Sequence, residues 1–376
     1  MRFTMKKIHV LFSIFFFTLL TATTLLTIFI PDKKKSETEN RELQQKPQLT
    51  VENVSTGKFQ GDLGEYLSDQ FPLREQMIKL NTLINNAFGN KNLNGAYKGE
   101  NDYYFEVILD KNIDIDRYNS NINAINVFNQ KYPEIKVNLM LVPTSSDIYK
   151  DYLPKGAPIY NADILYEIAN EKLDEGIFIN IRNTMESNKD EYLYYKTDHH
   201  WTSKGAYLAY KEYCSVKGIT PKSYDEFNFE DVSDDFYGSL HSKNLDAFAK
   251  ADIVSIAKNI GKCTVMANDI KIEMYDITKL SSKDKYLTFF GDNYAKTVIE
   301  TECKNGKTLL VVKDSFANSF VPLLTEDYEK IIMIDQRYYT KYFSSLIEEY
   351  NVTDTLFLYG VTNFSAQTKL ATACKN

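Results

Sequence analysis

Residues 308–319 read Thr308-Leu309-Leu310-Val311-Val312-Lys313-Asp314-Ser315-Phe316-Ala317-Asn318-Ser319. A short apolar run ends in polar turn residues, and Val321, Leu323 and Leu324 then follow at helical spacing. The run is apolar throughout rather than at alternate positions, which predicts a strand covered on both faces, as in a parallel sheet. The same unit recurs downstream. A predicted strand at 331–334 ends in Asp335-Gln336-Arg337-Tyr338-Tyr339, a helix spans 343–350, and a strand at 356–359 ends in Gly360-Val361-Thr362-Asn363. Upstream, helices at 116–132 and 162–173 alternate with strands at 137–142 and 177–181. This alternation predicts an α/β fold with a largely parallel sheet flanked by helices. Ligand sites in such sheets lie beyond the carboxyl ends of the strands. Ser315, Arg337 and Asn363 each follow a predicted strand, so they are expected to converge.

Residues 218–305 break the rhythm. A loop-like stretch at 231–243 is followed by short strand-like runs at 263–266, 270–275, 286–290 and 297–301, which predicts an antiparallel, β-rich insertion or subdomain. At the other end, residues 1–7 carry Arg2, Lys6 and Lys7, and 8–30 contain no formal charge apart from what His9 takes up. About 20 apolar residues cross a bilayer core. The run ends without a small-residue cleavage site, so 8–30 is expected to be a transmembrane signal anchor and 1–7 a cytoplasmic tail. Lys33, Lys34 and Lys35 weaken the charge asymmetry, but the basic N-terminus comes first and places the body outside the cytoplasm. A cleaved signal peptide would export the same body. Residues 31–62 are polar and expected to be a linker, and 63–376 the folded domain. Within it, 64–88 shows helical spacing interrupted by Pro72, and 95–109 has a strand–turn–strand pattern.

The chain has 376 residues, 43% hydrophobic and 25% charged, as in a globular protein. Its net charge is −7 and the folded part has no long basic stripe, so a nucleic-acid partner is not expected. Aromatics reach 14%, with 27 Tyr and 23 Phe; such rings suit sugar binding but also fill cores. Four cysteines, at 214, 263, 303 and 374, lack the spacing of a zinc or redox motif, although a Cys263–Cys303 bridge is compatible with the sequence. No metal or other cofactor is expected.

The second informative stretch is Tyr194-Tyr195-Lys196-Thr197-Asp198-His199-His200-Trp201-Thr202, which holds two of the four histidines and the one tryptophan. A helix is predicted to begin at Thr202 or Ser203, so the histidines lie on its entry loop. An Asp-capped turn with two surface imidazoles would account for the pattern, as a helix cap would for Asp314-Ser315. The catalytic reading uses both halves. Ser315, exposed between strand and helix, is the candidate nucleophile, and the helix start offers N–H groups to an oxyanion. Asp198 and His200 are two residues apart, so in an extended loop their side chains start on one side. Asp198 then orients His200, which takes the Ser315 proton. His199 points the other way.

Thr-Asp-His-His-Trp-Thr at 197–202 resembles the signature of the DHHW protein family. So do Asp69-Gln-Phe-Pro-Leu-Arg74, Phe236-Tyr-Gly-Ser-Leu240 and Lys313-Asp-Ser-Phe-Ala-Asn-Ser-Phe320, in order from about residue 60 to the end. That family is similar to the SGNH hydrolase-like proteins of alginate O-acetylation, which carry an Asp-x-His block before the serine block. In ordinary SGNH hydrolases the serine block comes first, so the order here reads as a circular permutation. The resemblance puts Gly360-Val-Thr-Asn363 at the Gly-x-Asn block and makes Asn363 a candidate oxyanion donor. Lys313 stands where the pattern has glycine before Asp-Ser, and Phe364 where it has a final aspartate. Asn318, Arg337, Tyr338, His199 and Trp201 complete the candidates for oxyanion or substrate contact.

The resemblance implies a membrane-anchored, extracytoplasmic serine O-acetyltransferase or acetylesterase. It would act on a cell-surface or secreted polysaccharide, with a membrane-bound O-acyltransferase as donor partner. Two other classes compete. One is a non-catalytic polysaccharide-binding or scaffold protein of an acetylation or export complex. The other is a metal-dependent phosphoesterase, since Asp-His-His also names a manganese-binding motif; His241 is then the remaining histidine of the body.

Overall fold

The computed structural model describes residues 2–375; Met1 of the expected tail and Asn376 at the end of the expected domain lie outside the described residues, as do the side chains of Arg2 and Lys6. The chain divides into two compact units, Met1–Asn90 with Ser242–Ala247, and Lys91–His241 with Phe248–Asn376.

The second unit is built on an eight-stranded sheet. Its order is Ile270–Ile272, Cys263–Ala267, Lys296–Thr301, Lys330–Asp335, Thr308–Lys313, Asp354–Gly360, Lys136–Val142, Phe178–Ile179. The last five run parallel, and the first three extend the sheet antiparallel. The fold is therefore the expected mostly parallel α/β sheet with an antiparallel β-rich insertion. Lys136–Val142 comes early in the chain but pairs beyond Asp354–Gly360, as the permuted order requires.

Burial explains why these strands read as continuous apolar runs. Leu309 and Val311 enter one core cluster, Leu310 and Val312 the other; Leu356 and Leu358 alternate likewise with Phe357 and Tyr359. Helices Ile115–Lys131, Ala162–Lys172 and Phe343–Tyr350 contribute to the second cluster, and Ser203–Lys217 to the first. Both faces are covered, so every residue of Thr308–Lys313 and Asp354–Gly360 is buried. From Thr308–Lys313 the chain passes to a neighbour on one side, Lys330–Asp335, and then to one on the other, Asp354–Gly360. The carboxyl end of Thr308–Lys313 is thus the switch point of the sheet, where a crevice opens.

The insertion does not form one separate sheet. Phe229–Phe236 and Asp252–Ala257 make their own antiparallel ribbon, within a stretch expected to be partly loop. The expected strand at 286–290 is instead a 3₁₀ turn, Lys285–Thr288, whose Tyr286 sits in the core with Phe289 and Phe290. A short apolar run marks burial without distinguishing strand from turn.

In the first unit, helix Arg2–Phe29 contains a span, Lys7–Thr27, long and apolar enough to cross a membrane; a signal sequence meets the same condition. The polar stretch expected as a linker is folded along part of its length. Lys35–Ser36 pairs with Arg41–Glu42 ahead of helices Lys58–Asp69 and Arg74–Ala87. Arg41 binds Asp69 at 2.6 Å and Glu39 at 3.0 Å, and Arg74 binds Glu39 at 2.9 Å. The Arg41 hydrogen bond, opposed by burial, holds Asp69 below the usual carboxylate range. Alternating polar charges left this cluster unreadable as structure. The Asp69–Arg74 block therefore belongs to an ion-paired corner, which turns at Leu73 with φ +60°.

Candidate active site

The turn at 195–200 is closed by an antiparallel bridge between Tyr194 and Trp201 and by the Tyr195 N–H donating to the His200 carbonyl at 3.2 Å. Thr202 then caps helix Ser203–Lys217, accepting from the Gly205 N–H. A buried carboxylate fixes the turn from beneath. Asp252 accepts from the N–H groups of Lys196 at 2.6 Å and Thr197 at 2.8 Å, and from the hydroxyls of Thr197 and Tyr192. Buried carboxylates need such saturation, since an unpaired one would be costly.

At the tip, Asp198 is buried and accepts three hydrogen bonds. Its Oδ1 receives His200 Nδ1–H at 2.6 Å and the His200 N–H at 2.9 Å, and its Oδ2 receives the Ser239 N–H at 2.7 Å. Burial pushes this carboxyl up, but the His199 and His200 rings and these donors outweigh it, so its pKa lies well below the usual range. Segment 236–240 supplies the clamp, and Gly238 makes it possible. A Cβ at Gly238 would sit 2.3 Å from the Asp198 Cβ. Gly238→Ala is therefore expected to displace Asp198 and lower turnover by about 10²-fold, the scale of an ångström-sized misplacement. Ester hydrolysis by the purified variant, beside a thermal melt, measures this.

The other half of the site comes from the switch point. Asp314, also buried, accepts from the Phe316 N–H at 3.0 Å, the Gly360 N–H at 2.8 Å and Asn363 Nδ2 at 2.8 Å. Burial nevertheless raises its pKa. These bonds fasten the Ser315 turn to strand Asp354–Gly360 and helix Val361–Ser365. Gly360 is needed for close approach, because a Cβ there would meet Phe316 at 2.8 Å.

The two halves meet. His200 Nε2 lies 2.7 Å from Ser315 Oγ, across 115 residues of sequence. Burial and the neighbouring His199, opposed by Asp198, push the His200 pKa down to about 4. Its ring is therefore neutral at pH 7. With Nδ1–H committed to Asp198, Nε2 presents a lone pair to the Ser315 hydroxyl, the arrangement of an activated nucleophile and its base.

The other candidates separate. Asn363 and Arg337 line a cleft of about 580 Å³ together with Ser315, His199, Gln336 and Lys369. Asn363 commits one amide hydrogen to Asp314 and keeps a second. The Ser315 N–H has no hydrogen-bond partner among the described residues. The expected helix dipole is minor, because the helix after Ser315, Ala317–Phe320, is a single turn. Arg337 is half exposed, its Nε 2.9 Å from Asp335, and Tyr338 lies against it, exposed, outside the cleft lining. Asn318 does not reach the cleft. It is buried, accepting from Lys313 Nζ at 2.8 Å and donating to Asn293 at 3.3 Å, because the buried Lys313 ammonium must find partners.

His199 does not point away. Its ring lies against His200 with centroids 3.8 Å apart, and its Nδ1 is 2.8 Å from Ser239 Oγ. Trp201 is fully buried rather than a groove residue. Its Nε1–H donates to the Phe316 carbonyl at 3.0 Å and Ser319 Oγ at 2.8 Å, tying the histidine turn directly to the serine turn. The three ligand-bearing residues Asp198, His199 and His200 are close enough to hold a cation, but both His200 nitrogens already face Asp198 and Ser315. The four cysteines are free thiols, and Cys263 lies opposite Thr301 rather than Cys303.

Two contributors carried no sequence signal of a role at the site. Asp252 was one acid among 51 Asp and Glu, and Tyr286 one of 27 tyrosines. Tyr286 stacks on His200, and its hydroxyl donates to the Ser315 carbonyl at 2.9 Å.

Solved structures share the fold of the chain. A crystal structure of a DHHW family protein from Eubacterium siraeum is 25% identical, with a TM-score of 0.62 over 75% of this chain and 95% of that one. PatB1 from Bacillus cereus is 21% identical, with a TM-score of 0.61 over 71% of this chain and 96% of PatB1. The structure of the same protein with a sulfonyl adduct is 20% identical, with a TM-score of 0.60 over 71% and 97%. No curated protein matches the chain by sequence. Residues 115–334, more than half of the sequence and including Asp198, His200 and Ser315, match the DHHW protein family, and the chain belongs to that family.

Proposed function

We propose that the protein is an extracytoplasmic serine O-acetyltransferase, or acetylesterase, acting on a cell-surface or secreted polysaccharide. The observation that carries the acyl-transfer reading is the unbroken hydrogen-bond chain Asp198–His200–Ser315 opening on a cleft. The acetyl group and the polysaccharide follow from the resemblance of the family to the alginate O-acetylation proteins. In this reading helix Arg2–Phe29 anchors the chain in the membrane. A membrane-bound O-acyltransferase would supply the acetyl ester or thioester.

Ser315 Oγ attacks the acetyl carbonyl while its proton passes to His200 Nε2. Asp198 stays ionised and holds the imidazolium. The oxyanion takes the free Ser315 N–H and the second Asn363 amide hydrogen. Collapse expels the donor's leaving group, which recovers the proton from His200, and leaves acetyl-Ser315. A sugar hydroxyl then repeats the sequence in reverse, giving the acetylated polymer and free serine; water in its place gives acetate. Arg337 and Lys369 line the path of the acceptor.

The pH dependence follows from burial. An unperturbed histidine would lose its lone pair near pH 6.5, whereas His200 is pushed down to about 4. The Ser315 acylation rate is therefore expected to hold as pH falls from 7 to about 5 and to halve near 4. Initial rates with a soluble ester across this range measure it; a limb above pH 6 would contradict it.

The test of function is incubation of the full-length protein in detergent with a chromogenic acetyl ester, with and without an oligosaccharide acceptor and with a chelator arm. Acetyl release or transfer abolished by Ser315→Ala and indifferent to chelation supports the proposal. Activity that survives Ser315→Ala but not chelation would assign the site to metal chemistry. No turnover under any condition would favour the scaffold reading.

A further inference from the structure

The base His200 is packed against three rings. Tyr286 lies on one face, with centroids 3.8 Å apart and planes within 8° of parallel. His199 covers another part of it at 3.8 Å and 39°, and Phe316 meets it edge-on at 5.3 Å. Tyr286 comes from the insertion, on the 3₁₀ turn Lys285–Thr288. That turn is anchored by Lys285 to Asp235 at 2.9 Å, and the Tyr286 hydroxyl is spent on the Ser315 carbonyl at 2.9 Å and Ser319 Oγ at 3.1 Å. Tyr286 is buried, so the ring has one fixed position.

Resting on the serine reading above, we propose that Tyr286 is a positioning residue that favours the charged form of His200 created when Ser315 gives up its proton. Two physical effects converge. The stacked ring blocks rotation of the imidazole, keeping Nδ1 on Asp198 and Nε2 on Ser315. Its face also carries the negative part of the aromatic quadrupole, which attracts a cation above it and does little for a neutral ring. His200 is otherwise a reluctant base, since burial and His199 disfavour its protonation. A stabilisation present only once the imidazolium forms acts on the transition state rather than on the resting enzyme. The insertion is then part of the catalytic apparatus, because it delivers this ring.

The test separates ring charge from ring shape. Full-length protein in detergent is treated with an aryl sulfonyl fluoride, and the rate of Ser315 labelling at pH 7 is followed by peptide mass spectrometry. This readout needs the serine and its base but no acetyl donor or polysaccharide. Tyr286→Phe keeps the ring and loses the hydroxyl; Tyr286→pentafluorophenylalanine keeps the same outline with the quadrupole reversed. The phenylalanine variant is expected to label within about threefold of wild type, and the fluorinated variant at least about fivefold more slowly than the phenylalanine variant. Tyr286→Leu is expected to fall with the fluorinated variant. A fluorinated variant less than about fivefold slower than Tyr286→Phe would overturn the proposal. So would a Tyr286→Phe variant slowed as much as the fluorinated one, which would assign the effect to the hydroxyl. Failure of wild type to label at Ser315 would instead remove the serine reading itself.

Discussion

Ser315→Ala is expected to lower acetyl release from a chromogenic ester by about 10⁴-fold or more. Among the described residues, the hydroxyls at the site are already engaged, Ser239 Oγ lying 2.8 Å from His199 Nδ1. Thr197 and Ser319 carry hydroxyls nearby, but Thr197 is bound to Asp252 and Ser319 to Trp201 and Tyr286. The fold should survive. Truncation removes one atom from a half-buried side chain and leaves His200 Nε2 without its partner, a loss of about 1 kcal/mol on the usual scale for a hydrogen bond. His200→Ala should cost nearly as much activity, and the double variant little more, because the two act as one unit. Initial rates for the three variants, beside thermal melts, provide the check. Losses that multiply would mean that His200 and Ser315 act independently.

Asp198→Asn is the second large effect, about 10⁴-fold in kcat, and its origin is tautomeric. The carboxylate receives three donors and gives none. An asparagine has one oxygen and one amide nitrogen for the same places. With oxygen toward His200, its NH₂ confronts the Ser239 N–H. Turned the other way, it confronts the His200 N–H and obliges Nδ1 to accept. The proton then sits on Nε2, facing Ser315, where a lone pair is required. The second orientation stops the reaction and the first loses the charge that stabilises the imidazolium. Leaving a buried donor unmatched should also destabilise the protein by about 1–3 kcal/mol. Kinetics of the variant, read against its unfolding midpoint, separate the two losses; wild-type kcat in a folded Asp198→Asn protein would contradict the role given to Asp198.

The parts of the fold that the sequence revealed were those in which burial leaves a pattern. Thr308–Lys313 and Asp354–Gly360 are enclosed on both faces, so they read as unbroken apolar runs. Their ends then located Ser315 and Asn363. The Asp198–His200 pairing was legible because residues two apart in one short turn stay within side-chain reach, although the turn is bent rather than extended. What could not be read depended on distant segments. Tyr286 lay in an aromatic run that signals burial alone, and its stack on His200 exists only after the insertion folds back. Asp252 holds the Lys196–Thr197 backbone from more than fifty residues away. Asn318 looked available because its sequence neighbours are turn residues, yet the buried ammonium of Lys313 claims it. His199 was expected to diverge from His200 by alternation, but the turn tightens at Asp198 and brings both rings together.

In the proposed reaction acetyl groups pass through Ser315. The most direct measurement is rapid acid quench of the full-length protein during turnover of an acetyl ester, followed by peptide mass spectrometry. An acetyl group on the Ser315 hydroxyl, formed and lost at rates compatible with turnover and missing in Ser315→Ala, is the predicted result. Turnover undiminished in Ser315→Ala, with no acetyl on the Ser315 peptide of the wild type, would contradict it.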